Sequence, residues 1–180
     1  MTNNNIIDER NNDIQIYING SFYPRNDAKI SVFDSGFLLG DGIWEGIRLV
    51  KNEWLFIDEH LDRLFEGCSA IDITLDLSRD EIKEAILETQ KINNMSDSAH
   101  ARVMITRGDK IKPFQQPSLS TSGINFVIIM EHSFESPNSN GIKLVTVPQV
   151  RGLPVSQDPK LNSHSKLNCI IACIQANKAG

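Results

Sequence analysis

The segment from Val32 to Arg48 constrains this chain more than any other. Gly36, Gly40 and Gly42 fall within seven residues, with Asp34 and Asp41 among them, and the run passes directly into Ile43-Trp44-Glu45-Gly46-Ile47-Arg48. Glycine tolerates positive φ and close backbone approach, so such a loop either lines a ligand site or makes a tight connection between strands. The spacing is not a dinucleotide fingerprint, and no Gly-Lys-Ser/Thr follows to make a P-loop. The β-branched stretch behind it predicts a strand over Ile43 to Val50, turning at Lys51-Asn52-Glu53 into a second over Trp54 to Ile57.

Other elements follow from pattern. Ile14 to Ile18 reads as a strand closed by the hairpin signal Asn19-Gly20, with Phe22 and Tyr23 returning, and Ala28 to Phe33 reads as an edge strand. Asp58 is placed to cap a helix whose buried stripe is Leu61, Leu64, Phe65, Cys68 and Ile71. Ser78 and Glu81 form a capping box for a second helix, with Ile82, Ala85, Ile86, Thr89 and Ile92 facing inward. Strands are expected at Ala101 to Thr106, Ile124 to Glu131 and Ile142 to Val147. A last helix is expected from His164 to Ala179, burying Leu167, Ile170, Ile171 and Ile174.

Strands grouped around a helical pair predict an α+β fold for residues 13–132. Residues 1–12 read as a frayed polar tail and 133–141, rich in turn residues, as a linker. Residues 142–180 supply one strand, an irregular crossing and one helix. That is too little to enclose a core, so this second domain is expected to be cut short. A net charge of −5 without a basic block argues against nucleic acid as the main partner. Apolar runs such as Phe126 to Met130 are too short to span a bilayer, which needs about 20 residues. Three cysteines without framework spacing point to a reducing, cytoplasmic setting. Cys169 and Cys173, four apart, read as ordinary helix residues rather than a metal pair, and no metal site is expected.

The pattern Asp34-Ser35-Gly36-Phe37 through Gly46-Ile47-Arg48, followed by His60-Leu61-Asp62-Arg63-Leu64, resembles the fold-type IV pyridoxal-phosphate enzymes. These are the branched-chain and D-amino-acid aminotransferases and aminodeoxychorismate lyase, and the form Glu45-Gly46-Ile47-Arg48 leans toward the branched-chain group. The resemblance implies a small N-terminal α/β sandwich domain and the beginning of an α/β-barrel-like second domain. It implies transfer of an amino group between an amino acid and a 2-oxo acid with pyridoxal 5′-phosphate, in a homodimer. Arg63 corresponds to the arginine that binds the cofactor phosphate, for which a planar, permanently charged fork is well suited. Trp44, where the family more often has Phe or Tyr, and Arg102, Glu45 and Arg48 correspond to residues around the substrate pocket. Arg102 and Arg107 are five apart on a strand and face opposite sides, so at most one serves that pocket.

The resemblance also requires a lysine that bonds covalently to the cofactor aldehyde and moves the substrate Cα proton. Aligned on the last helix, its position is Asn162, and a carboxamide cannot do this. Lys166 lies four residues on, about one helical turn or 5.4 Å along the axis. Its side chain is expected to lean back toward the vacated spot. Lys160, two residues upstream beside Pro159, is the alternative. His164 is either an acid–base group or a helix-entry residue. Two other readings stay open: an aminodeoxychorismate lyase-type carbon–carbon lyase, and a ligand-binding relative that has lost the covalent lysine.

Overall fold

Strands β1 (Gln15–Ile18), β2 (Ser21–Pro24), β3 (Gly42–Val50), β4 (Glu53–Trp54), β5 (Ala99–Thr106) and β6 (Asn125–His132) form one sheet. The computed structural model describes residues 8–133 and 143–180. Sheet order is β2-β1-β6-β5-β3-β4, with every neighbouring pair antiparallel. Helices α1 (Ser35–Leu39), α2 (Ile57–Ala70), α3 (Arg79–Ile92) and α4 (Leu167–Ala179) complete the chain. The fold is α+β, as the grouping of strands around a helical pair predicts.

Alternation decides which face is the core. Ile43, Ile47 and Leu49 of β3 stand opposite Ile105, Ala101 and Ala99 of β5. Those β5 residues in turn lie across from Phe126, Met130 and His132 of β6. All of the apolar ones are buried, and together they make one continuous inner layer. Helix α2 packs on β3 and α3 on β1 and β6. Leu61, Leu64 and Cys68 of α2 and Ile82, Ala85, Ile86 and Thr89 of α3 are buried, as the helical period dictates, whereas Ile92, expected in the same stripe, is exposed at the last turn of α3. The capping box at Ser78 and Glu81 is formed in both directions. The β3–β4 hairpin turns on Lys51 and Asn52, both at positive φ.

Several expectations are corrected. Ala28 to Phe33 forms no strand: the N–H groups of Asp27 and Ala28 bond the Pro24 carbonyl, and that of Asp34 bonds Ser31, so the backbone is committed to turns. β4 ends at Trp54, because Phe56 adopts a left-handed conformation (φ 54°) and Ile57 already opens α2. Asp58 does not cap that helix but lies in its first turn and pairs with Lys83 of α3. Residues 8–12 are not frayed. Asp8 caps a short 3-10 turn, and the Asn11 side chain bonds both the carbonyl and the N–H of His132.

Ser133 apart, the linker lies outside the described residues, as does Ile142, while residues 143–147 form no strand and Leu144 is exposed. A lone extended segment without a ladder partner leaves its backbone to water. Helix α4 starts at Leu167 rather than His164, whose N–H is taken by the Gly42 carbonyl. Leu167, Ile170 and Ile174 are exposed rather than buried, since residues 143–160 run irregularly and lay no element across them. Among the described residues, no helix is long and apolar enough to cross a membrane.

Burial also sorts the cysteines. Cys68 is buried, while Cys169 and Cys173 are exposed. Loss of solvation pushes the Cys68 thiol up to about 12, against a smaller opposing pull from Arg107. The thiolate is the reactive form. We therefore expect iodoacetamide to modify Cys169 and Cys173 in the folded protein and to reach Cys68 only after denaturation. Mass mapping of the alkylated peptides checks this.

Candidate active site at the free edge of strand β3

Strand β4 covers β3 only at Leu49 and Val50, which leaves the edge at residues 42–44 open. Residues 162–164 fill it. The Trp44 N–H donates to the Asn162 carbonyl at 2.9 Å and the His164 N–H to the Gly42 carbonyl at 3.0 Å, with Ile43 bridged to Ser163. Trp44 adds a third tie, its indole Nε1–H donating to the Ser163 carbonyl at 3.2 Å. A phenylalanine could not make that bond, which gives a local reason for tryptophan here.

The same segment explains the glycine loop in part, for the shortest contacts a Cβ would meet, 2.5 Å, are with Thr106 Cγ2 at Gly36 and the Ile105 carbonyl at Gly42. A Cβ at Gly36 would stand 3.1 Å from His164 Nδ1, one at Gly42 3.2 Å from His164 Nε2, and one at Gly40 3.2 Å from the Ser165 backbone nitrogen. The loop is therefore a seat for residues 163–165. Asp34 shapes it from beneath: its carboxylate caps α1 at the Phe37 N–H and accepts from the Thr106 hydroxyl and the Asn125 amide.

Lys166 comes next. Its Nζ donates to Asn162 Oδ1 at 2.7 Å and stands 5.1 Å from the centre of a Trp44 ring. The Arg102 guanidinium carbon lies 4.1 Å from a Trp44 ring centre, so both cations gather on one indole. Burial holds the Lys166 amine below the usual lysine range; Arg151 and Arg102 push the same way, against Cys169 and Glu45. Lys160 is exposed, and its backbone N–H bonds the Asp158 carboxylate. His164 is no surface residue: burial keeps its imidazole below the usual range, and Nε2 lies 3.3 Å from the Ile43 carbonyl.

Glu45, one residue after Trp44, points to the opposite, helix-covered face and is fully buried. Arg63 Nε donates to Glu45 Oε1 and Arg63 Nη2 to Oε2, each at 2.6 Å, and His60 Nδ1 lies 2.8 Å from Oε2. His60 and Arg63 are three apart on α2 and so share a face. The Glu45 carboxylate raises the Arg63 pKa further. The Arg63 side chain is 55% exposed, and its Nη1 has no bond among the described residues. The four residues expected around a substrate pocket are thus divided: Trp44, Arg48 and Arg102 share one face, and Glu45 belongs with Arg63. Arg107 lies beyond β5 and is a brace, forked onto Asp41 and donating to the carbonyls of Ile71 and Asp72.

On the Trp44 face a cavity of about 360 Å³ opens, with Ile16, Ile18, Val127 and Ile129 among its lining and Arg25, His100, Arg102 and Glu131 as its polar groups. Its size falls in the range of small-molecule sites. Sequence reasoning missed the grouping of His60 with Glu45 and the seating of His164. The three-residue spacing of His60 and Arg63 was the one available signal for the first.

The sequence pattern of the amino-transferase class IV family matches residues 42–180, which include Trp44, Glu45, Arg63, Arg102, His164 and Lys166 but not Asp34, Gly36 or Gly40. The chain belongs to that family. Among its class IV relatives, branched-chain-amino-acid aminotransferase-like protein 1 of Arabidopsis thaliana is 37% identical over 164 residues, covering 89% of this chain and 29% of the relative. A putative branched-chain-amino-acid aminotransferase of Methanocaldococcus jannaschii is 36% identical over 173 residues, covering 93% of this chain and 57% of that one. The chain therefore spans well under two thirds of either relative. Among solved structures, the branched-chain aminotransferase of the thermophilic archaeon Thermoproteus uzoniensis with norvaline superposes with a TM-score of 0.80 at 19% identity, over 93% of this chain and 57% of that one. That likeness shows the class IV fold.

Proposed function

We propose that this class IV chain belongs to a pyridoxal-phosphate-dependent transaminase that moves an amino group between a branched-chain-like amino acid and a 2-oxo acid. The observation that carries this reading is the Lys166 amine, 2.7 Å from the Asn162 side chain that holds the family's lysine position. It is four residues displaced in sequence yet adjacent in space. Its only hydrogen-bond partner among the described residues is a neutral amide, and burial favours its uncharged, nucleophilic form.

Two residues support this cofactor by their chemistry. Arg63 is oriented by Glu45 and keeps Nη1 for a phosphate oxygen, while Lys166 supplies the attaching amine. Pyridoxal 5′-phosphate, when bound, would supply an aldehyde for amino-group transfer and an electron-withdrawing ring. Lys166 Nζ then takes and returns the proton at the substrate Cα. Arg102, held flat on Trp44, is positioned for a substrate carboxylate, and the isoleucine- and valine-lined cavity beside it supports an apolar side chain. Val32, Phe33 and Phe37 beside the glycine seat, with Ile111 and Phe114, leave a large apolar surface exposed, which supports assembly as a homodimer.

Asn162 favours a second reading, a ligand-binding relative without covalent chemistry. Incubation with pyridoxal phosphate, borohydride reduction and peptide mapping separates the two. We expect a pyridoxyl adduct on Lys166. An adduct on Lys160 would move the assignment there, and none on any lysine would leave the non-catalytic reading standing.

A further inference from the structure

We propose that His164 is a positioning residue, a peg in the Gly36–Gly42 seat that holds residues 162–166 on β3 and thereby sets where the Lys166 amine stands. Helix α4 gives only a weak hold, its side-chain ties among the described residues running from Gln175 and Asn168 to Gln149 and Val150 in an irregular stretch. Lys166 is its N-cap residue, no side chain caps it, and none of its residues is buried. The position of Lys166 therefore depends on the few residues before it. Their backbone grip on β3 is brief, two hydrogen bonds around a single isolated bridge.

The imidazole adds the missing hold. It packs against both glycines, 3.1 and 3.2 Å from where a Cβ would stand on Gly36 and Gly42, closer than ordinary van der Waals contact. The Ile43 carbonyl can only accept, so Nε2 must carry the hydrogen for the 3.3 Å contact to be a bond. The charged groups that act on the ring are Asp34, which favours its protonation, and Arg102 and Lys166, which oppose it. Burial, the largest influence, also opposes protonation, and the bond to the Ile43 carbonyl favours it.

The catalytic meaning of this device rests on Lys166 being the reactive amine, but its placement does not. The test is the pH profile of Lys166 acetylation by acetic anhydride, followed by peptide mapping, in the parent and in His164→Ala, His164→Leu and His164→Gln. In the Ala variant the amine loses its buried position and its midpoint should rise. A rise of about half a pH unit makes acetylation at pH 8 roughly threefold slower. The Leu variant fills the seat without a hydrogen bond and decides the matter if the Ala variant does not fold. Gln retains an N–H for the Ile43 carbonyl and should recover at least half of the change. An unmoved midpoint in the Ala or Leu variant, or a Gln variant no better than they are, overturns the proposal. Acetylation needs no cofactor, so failure here is distinct from failure to find a pyridoxyl adduct.

Discussion

Lys166→Ala should abolish borohydride-trapped pyridoxal phosphate and lower amino-group transfer by at least about 10³-fold, the order lost when a covalent or acid–base group is removed. Three features make this residue the one to test. Its amine lies against the Asn162 side chain, shares Trp44 with Arg102, and is buried enough to fall below the ordinary lysine range. Lys160→Ala is the control, since Lys160 is exposed and bonds only its own turn. It should retain both the adduct and the turnover. The double variant Asn162→Lys with Lys166→Ala asks whether place in space or place in sequence matters. Partial recovery of the adduct, now on residue 162, is expected, because the two side chains meet at one spot. Full turnover in Lys166→Ala alone would end the assignment.

Arg63→Met should cost about 3 kcal/mol of stability and weaken pyridoxal phosphate binding at least about tenfold. Glu45 is fully buried and accepts three short bonds, two of them from Arg63. Removing one partner of a buried ion pair typically costs about 3–5 kcal/mol, because the other charge is left without compensation. The low end applies here: His60 remains, and the Arg63 side chain is half exposed. Urea denaturation measures the first effect and equilibrium titration the second. Adding Glu45→Met should restore most of the stability, since no buried charge is left, without restoring phosphate affinity. Stability loss under about 1 kcal/mol in Arg63→Met would show that Glu45 does not depend on it.

The sheet and the two central helices were legible because burial there follows simple periods. Ile43, Ile47 and Leu49 alternate, Leu61, Leu64 and Cys68 repeat helically, and Ser78 with Glu81 announces a helix start. Segments whose pattern had no partner misled. Ala28 to Phe33 looks like a strand, yet a strand exists only where another chain segment accepts its hydrogen bonds. The apolar positions of α4 looked like a core stripe for the same reason, being correct as a pattern but lacking anything to cover them. At the candidate site, the motif singles out Arg63, and Lys166 meets Asn162 although residues 162–166 form no helical turn, since α4 begins only at Leu167. Glu45 could not be assigned to its side, because alternation separates neighbours that a motif presents together. His164 was equally hidden, since its seat is built from residues more than a hundred positions away.

One strand acts as the partition between the two chemical halves of this site. Trp44 serves the amine side and Glu45 the guanidinium side, and only the pleat keeps them apart. A one-residue slip of β3 against β5 would exchange every facing residue. It would drive the indole into the hydrophobic layer and expose the carboxylate beside Lys166, where it would hold the amine as ammonium. Insertions or deletions within this strand should therefore be far more damaging than substitutions at the same positions.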